Sequence, residues 1–515
     1  MALARLFVSL ALFATLGLAQ VATSRLDGSV QDGSGAVVPG AKVVAVNDKT
    51  QARAEATTSP EGVYIFPSLQ PGTYTVSVEA SGFRKAVASG VELNVSVAVT
   101  QRFKLEVGQV TESVVVEADA VRVQTSDAQI GRSVTMRDID TLPQLGRSPV
   151  ILAVFQPGVQ INPGDTTFSR VNGMRQGSNN TTLDGISVND SVTARLGLAL
   201  TANNTDSIGE FRVITNGAKA EYGHNAGGQV ELITRSGTNQ FHGNLFDYLR
   251  NTKLNANNFF NNTSGVKRPE YKQNLFGGSA GGPVIKSKTF FFFNYQGSRV
   301  AQEVTRNRTV LSAEAKQGIF RWRAPGSTAV SSFDIARNDP RSKGVDKEIA
   351  KIFGVLPNAN NSDIGDGLNT AGFRFNNPTG SWNNSYTGKA DHNLKEGLRL
   401  FFRYSWFKTY SIDSLNSQDA AFPGFPQGWQ GGIRAGFSVG SDWVISPSLV
   451  NEARVGTQSS SVEFARPARQ PNAMIISNLY TDPYSTAFPS GRNSPTWDII
   501  DNLTKLWGKH TFKMG

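Results

Sequence analysis

Leu398-Arg-Leu-Phe-Phe-Arg-Tyr-Ser-Trp406 is the stretch on which the reading of this chain turns. Successive side chains of a β-strand point to opposite faces. Leu398, Leu400, Phe402, Tyr404 and Trp406 therefore share one face, and Arg399, Arg403 and Ser405 share the other with Phe401 between them. An unbroken apolar and aromatic face backed by two arginines suits a strand between two solvents, lipid outside and a wet lumen inside. A soluble sandwich with amphipathic strands is the competing pattern. The stretch follows a hairpin turn at Leu394-Lys-Glu-Gly397. Further on, Phe437, Val439 and Trp443 alternate with Ser438, Gly440 and Asp442, and Ser446-Pro-Ser448 turns into Leu449–Val455. Trp and Tyr near strand ends are the side chains expected at membrane interfaces.

The 515 residues exceed one ordinary core, so two to four domains are expected. Glycine numbers 51, about a tenth against roughly 7% on average. With 39% apolar, 18% charged, 31 Phe, 11 Tyr and 7 Trp, the composition disfavours both disorder and a helical bundle and suits strands, turns and polar loops. Cysteine is absent, which excludes disulfides, thiolate zinc sites, thiol nucleophiles and iron–sulfur clusters. The net charge of +10 is scattered with no Lys/Arg run longer than two, so no nucleic-acid partner is expected. Four histidines and no H-E-x-x-H spacing leave no metal site, and no cofactor is expected.

Residues 1–19 read as an export signal: Arg5, an apolar run from Leu6 to Leu18, then small residues at Gly17 and Ala19 with a cut after Ala19. Beyond it no uninterrupted apolar stretch of about 18 residues occurs. Any bilayer crossing must then be made by a β-barrel.

From Ser24 to Val107 the pattern is strand and turn. Tyr74, Val76 and Val78 alternate after a Pro71-Gly72 turn, and Val91, Leu93, Val95, Val97 and Val99 repeat the alternation, followed by Phe103, Leu105 and Val107. The segments Gly28–Val43, Glu61-Gly-Val-Tyr-Ile-Phe66 and Leu69-Gln-Pro-Gly-Thr-Tyr-Thr-Val76 resemble the carboxypeptidase regulatory-like domain. That resemblance implies a seven-stranded, prealbumin-like (carbohydrate-binding-like) β-sandwich over residues 24–107, a binding or spacer module without peptidase chemistry.

Val110-Thr-Glu-Ser-Val-Val-Val-Glu-Ala118 is a short β-prone run with two readings. It is either the last strand of the sandwich or a free strand to which a partner adds its own. Residues 110–118 resemble the box of TonB-dependent outer-membrane receptors, which would make Glu112, Ser113, Val114, Val115 and Val116 the contacts of the energy-transducing TonB protein. Val171-Asn-Gly-Met-Arg-Gln-Gly-Ser-Asn-Asn-Thr-Thr-Leu-Asp-Gly185, Asn189-Asp190, Asp206–Val213 and Ala220–Gly243 resemble the plug and first barrel strand of that family. The order of sandwich, box, plug (119–236) and barrel (240–515) is that of its Oar-like subgroup. Asp184-Gly185 and Asn172-Gly173 are tight-turn dipeptides. Arg175, Asp184, Glu210, Arg212 and Glu221 are the polar groups expected against a wet barrel wall.

The expected fold is thus mainly β: a prealbumin-like β-sandwich, a small α/β plug, and an incomplete transmembrane antiparallel β-barrel. About 275 residues follow Gln240, room for about eight to ten strands of 9–11 residues, against about 22 strands in plugged transporters. Nor does Phe512-Lys-Met-Gly515 end in the terminal aromatic of the family, and the chain is expected to be a fragment with an unpaired barrel edge. Phe290–Phe293 should place half of its rings inward, packed under the plug. Strand patterning fades from Val310 to Trp382, with a short helix at Val345–Phe353 and loop at Asn358–Asn361, as a long extracellular connection would show.

Gly277-Gly-Ser279-Ala-Gly281 matches a nucleophile elbow in letters, but Gly282-Pro283 is a poor helix start, so no enzyme is expected. Glu221 with His224 does not make a metal site. Asn189-Asp190 is read as a solvated turn. The resemblance implies a TonB-dependent receptor and transporter in the outer membrane, its sandwich and box periplasmic, taking up a bulky extracellular ligand such as a carbohydrate, peptide or siderophore. The alternative is a surface binding or adhesion protein on a barrel anchor.

Overall fold

The computed structural model describes residues 23–108, 113–117, 129–141, 152–153, 156–162, 165–175, 177–190, 204–223, 227–263, 265, 267–414, 416–466, 479–484, 487–507 and 510–515. The expected export signal at residues 1–19, Glu112 and His224 lie outside these residues. None of the described helices is long and apolar enough to cross a membrane.

The N-terminal sandwich is built from β1 (Ser24–Asp32), β2 (Lys42–Asn47), β3 (Arg53–Thr57), β4 (Val63–Leu69), β5 (Gly72–Glu79), β6 (Lys85–Leu93), β7 (Ala98–Thr100), β8 (Phe103–Leu105) and β9 (Ser113–Glu117). One sheet runs β4-β1-β7 with β8 also on β1, and the other runs β3-β2-β5-β6-β9. Leu26, Val43, Phe66, Tyr74, Val76, Val78, Val91, Leu93, Phe103 and Leu105 bury themselves between the two sheets, on the parity the alternation requires.

β7 and β8 both pair parallel to β1 and are one strand interrupted at Gln101-Arg102, which reconciles them with a seven-stranded expectation. At the interruption Tyr64 Oη donates to the Gln101 carbonyl at 2.6 Å. Gly28 lies so close that a Cβ there would stand 1.7 Å from the same oxygen. The alternation from Val91 to Val99 does not form one strand. It breaks at Ser96, where φ is 53°, because the chain there crosses from one sheet to the other while Val95 and Val99 stay buried. β9 pairs parallel to β6, Lys85 opposite Ser113 through Ser89 opposite Glu117. The segment thus joins the sandwich as an edge strand, one side paired to β6 and the other at the end of the sheet.

The second unit holds β10 (Ile130–Val134), α1 (Met136–Thr141), β11 (Val159–Asn162), β12 (Asp165–Val171), β13 (Asn180–Leu183), β14 (Ile186–Ser187), β15 (Ile208–Asn216) and β16 (Gln229–Thr234). Its main sheet is ordered β10-β15-β16-β13-β14, with β13 and β16 parallel. Leu183, Ile208, Phe211, Val213, Val230 and Leu232 form its core. Both dipeptide turns are present: Asp184 and Gly185 have φ of 50° and 85°, Asn172 and Gly173 of 49° and 73°. Two consecutive left-handed residues are what the Asx-Gly pair tolerates at low cost.

The remaining chain forms one antiparallel sheet of nine strands, ordered as in the sequence: β17 (His242–Asn251), β18 (Tyr271–Ile285), β19 (Thr289–Leu311), then, past a separate hairpin β20 (Ile319–Arg323)–β21 (Val330–Asp334), β22 (Thr370–Lys395), β23 (Leu398–Ile412), β24 (Trp429–Ser446), β25 (Leu449–Ala465), β26 (Ser490–Trp507) and β27 (His510–Met514). The sheet does not close, and β17 and β27 are its edges. Tight connections (286–288, 396–397, 447–448) lie at one end and long ones (252–270, 312–369, 413–428) at the other. β23 has Leu400, Phe402 and Tyr404 exposed and Phe401, Arg403 and Ser405 buried, the parity read from its sequence. Phe290 and Phe292 are buried while Phe293 is exposed, as half-inward packing demands.

The faded region needs correcting in part. α2 (Phe259–Thr263) and α3 (Ala313–Lys316) are short, and α4 (Lys347–Val355) stands where a helix was expected, its first amides capped by Asp346. Yet Thr370–Trp382 is strand, the beginning of the 26-residue β22. Both of its faces are half-buried there, so no lipid-versus-lumen contrast marks it. Gly277–Gly281 lies within β18, and Ser279 Oγ donates to Asn244 Oδ1 of β17 at 2.6 Å. The strand-to-helix bend of a nucleophile elbow is not formed.

Candidate functional site

The α/β unit sits against one face of the nine-stranded sheet, the wall, and charge holds it there. The β13–β14 turn projects Asp184 into the wall. Its carboxylate accepts from Lys389 Nζ of β22 at 3.0 Å and lies 3.4 Å from Arg403 Nε of β23. All three side chains are at most 4% exposed. Asp184 also accepts from the Thr234 amide (3.1 Å) and hydroxyl (2.6 Å), tying the turn to the end of β16. Next to it the Ser187 amide donates to Asp498 of β26 at 2.9 Å, and Asp190 pairs with Arg492 of the same strand at 3.0 Å. Asn189 donates to Asn180 within the plug, so this pair is a buried anchor, not a solvated turn. Close packing completes the seat, for a Cβ on Gly456 of β25 would stand 2.7 Å from Ile186. On the other side Asn204 meets Asn294, and Asp206 accepts from Asn244 Nδ2 at 2.7 Å.

The five polar groups singled out in the plug part company. Asp184 and Glu221 reach the wall, Glu221 through Lys513 of β27 at 2.7 Å. Glu210 and Arg212 instead face the sandwich: Glu210 accepts from the Val95 amide at 3.0 Å, and Arg212 donates to the Ser96 carbonyl. They lie on β15, the second strand of the sheet, and the left-handed bend at Ser96 is what presents those backbone groups to them. Burial pushes the Glu210 carboxyl up to about 7, against the lowering Val95 amide, and burial likewise pushes Glu231 up to about 7. Arg175 is exposed beside the Asn172-Gly173 turn.

The sandwich also meets the wall directly. Thr23 Oγ1 and Ser68 Oγ each donate to Glu452 Oε1 of β25 at 2.8 Å, and Gln70 Nε2 donates to Asp442 Oδ2 of β24 at 2.6 Å. Asp442 lies opposite Glu452 in register and is held by Arg399 at 2.8 Å and by Arg454. In the sequence, Arg399, Arg403 and Asp442 read only as the polar side of their strands, and Glu452 and Arg454 are not named. The available signal was their parity, since Arg399, Arg403, Asp442, Glu452 and Arg454 all fall on the face opposite the lipid-facing aromatics.

Where Glu112–Val116 were expected to meet a partner, Ser113–Val116 are backbone-paired to β6, with β9 at the end of its sheet. Among the described residues no three His, Asp or Glu side chains gather as a metal site.

Known proteins fit this architecture. Residues 233–515 match the outer membrane beta barrel domain, and residues 25–106 match the carboxypeptidase regulatory-like domain. The chain is 26% identical over 284 residues to the TonB-dependent transporter Oar of Myxococcus xanthus, a match covering 53% of this chain and 26% of that protein. It spans about a quarter of that relative's length. Among solved structures it is similar to the outer membrane transporter YddB of Escherichia coli (TM-score 0.46, 13% identity, 73% of this chain and 45% of the other). It is also similar to the ferric enterobactin receptor PfeA of Pseudomonas aeruginosa, in a mutant form (TM-score 0.39, 14% identity, 73% and 45%).

Proposed function

Because this chain belongs to the outer membrane beta barrel domain family and resides in the outer membrane, we infer that it works as a TonB-dependent receptor and transporter. The observation that carries the reading is the buried seat of Asp184 between Lys389 and Arg403. A plug attached by a few ionic contacts to an otherwise complementary wall can be displaced and can return. An extracellular ligand binds the long connections and the outer face of the plug. TonB then engages residues 112–116 from the periplasm, the side of the tight connections, and draws the plug aside. The ligand is bulky and its class, carbohydrate, peptide or siderophore, is open.

Deleting Thr111–Ala118 tests this. Energy-dependent uptake of a labelled extract from the growth medium should be lost while binding to cells is retained. Unchanged uptake would refute the transport reading and favour a surface binding or adhesion protein without transport.

A further inference from the structure

We propose that the N-terminal sandwich is a second, removable closure: a latch that ties the plug to the barrel wall and must leave its seat before the plug can loosen. The proposal deepens the transport reading by naming what regulates plug movement.

Three sets of contacts carry it. Thr23 and Ser68 reach Glu452, and Gln70 reaches Asp442, so the sandwich is bonded to two adjacent wall strands. Val95 and Ser96, on the bend between its two sheets, hold Glu210 and Arg212 of the interior plug strand β15, while the Lys49 carbonyl accepts from the Asn239 amide just before β17 at 3.1 Å. One body therefore grips both the stopper and its housing. β9, finally, belongs to the same sheet as β5 and β6, so a pull on β9 reaches the sandwich as well as the plug that follows it in the chain.

The chemistry at the wall makes the seat reversible. Glu452 is 4% exposed, yet its hydrogen-bond donors among the described residues are the two sandwich hydroxyls. The guanidinium groups nearby, Arg399 and Arg454, are bonded to Asp442. A buried carboxylate held by neutral hydroxyls gains little over its hydrated state. Docking thus has modest strength, as a part that must detach requires.

The test uses the full chain and its lack of cysteine. Ser68→Cys with Glu452→Cys is bridged by oxidation or by dibromobimane, and hydrogen exchange of β15 and β16 is compared in the bridged and reduced forms, with β23 as the internal reference. The bridge should slow plug exchange at least tenfold and leave β23 unchanged, with reductant restoring the rate of the oxidised form. Equal exchange in the two forms would overturn the latch. A second pair, Arg25→Cys with Thr511→Cys, joined by a longer bis-maleimide that replaces the reach of the arginine side chain, repeats the experiment at another point should the first not fold. Exchange needs neither ligand nor TonB, so its failure leaves the transport reading standing, and failed uptake leaves the latch standing.

Discussion

Replacing Asp184 with asparagine removes one charge from the plug's ionic seat and almost nothing else. Asparagine tolerates the left-handed backbone at this position (φ 50°), keeps the turn with Gly185, and can still accept from Thr234. What it cannot do is balance Lys389 and Arg403, whose side chains are 3% and 0% exposed. Removing one partner of a buried ion pair costs about 3–5 kcal/mol. Lys389 keeps the Thr234 carbonyl at 3.0 Å and Arg403 keeps a long contact to the Leu183 carbonyl, so the lower end, about 3 kcal/mol, is expected. At about 1.4 kcal/mol per tenfold, local opening of the plug should rise roughly a hundredfold. Hydrogen exchange of the β13 and β16 amides in detergent measures this directly. Lys389→Met in the same chain should recover part of the loss, because it removes one of the orphaned cations. A change in β13 and β16 below about 0.5 kcal/mol would show that water already screens these charges, and the ionic-seat argument would fall.

The plug–sandwich contact should respond to pH. Glu210 and Glu231 have carboxyls raised to about 7 by burial, among Arg212, Tyr222 and Glu221. A raised carboxyl penalises the ionised form, so the contact is tightest near pH 4.5, weakens as pH rises through about 7, and levels off above. Exchange of β15, corrected for its intrinsic pH dependence, should therefore be faster at pH 8 than at pH 5.5, and the opposite trend would reject the assignment. Gly28→Ala should lower the sandwich's thermal midpoint, since a Cβ 1.7 Å from the Gln101 oxygen must part β1 from β7 and β8 at a cost of about 1–3 kcal/mol. Calorimetry decides it, and an unchanged midpoint would contradict the close approach. Ser279→Ala removes a half-buried hydroxyl bonded to Asn244, so it should cost about 0.5–1.5 kcal/mol of stability and leave uptake and any hydrolytic background untouched. A lost esterase or peptidase signal would restore the nucleophile reading.

Legibility followed physical contrast. β23 could be read letter by letter because lipid and lumen impose opposite demands on alternate residues, and its partner strands repeat the rule. Thr370–Trp382 could not, because outside the bilayer both faces of β22 meet similar surroundings and period-two contrast vanishes. Local turn chemistry was equally readable, as Asp184-Gly185 and Asn172-Gly173 show. Partners distant in sequence were not. Asp184 is 205 residues from Lys389, and no local pattern tells that Glu210 looks to Val95 of the sandwich while Asp184 looks to the wall. Arg175 shares its residue type with true anchors yet is exposed, because charge alone does not say which end of a loop turns inward.

The length of β22 has a consequence for what the cell presents outward. Twenty-six residues at about 3.3 Å each, tilted by about 40°, rise roughly 65 Å, while the apolar band of a barrel is about 25 Å tall. About 40 Å of rigid sheet then stands clear of the hydrocarbon, joined by β19 with its 23 residues. A parapet of that height meets large solutes before any lipid does, and substitutions along its rim should change the surface offered to the medium without disturbing how the protein sits in its membrane.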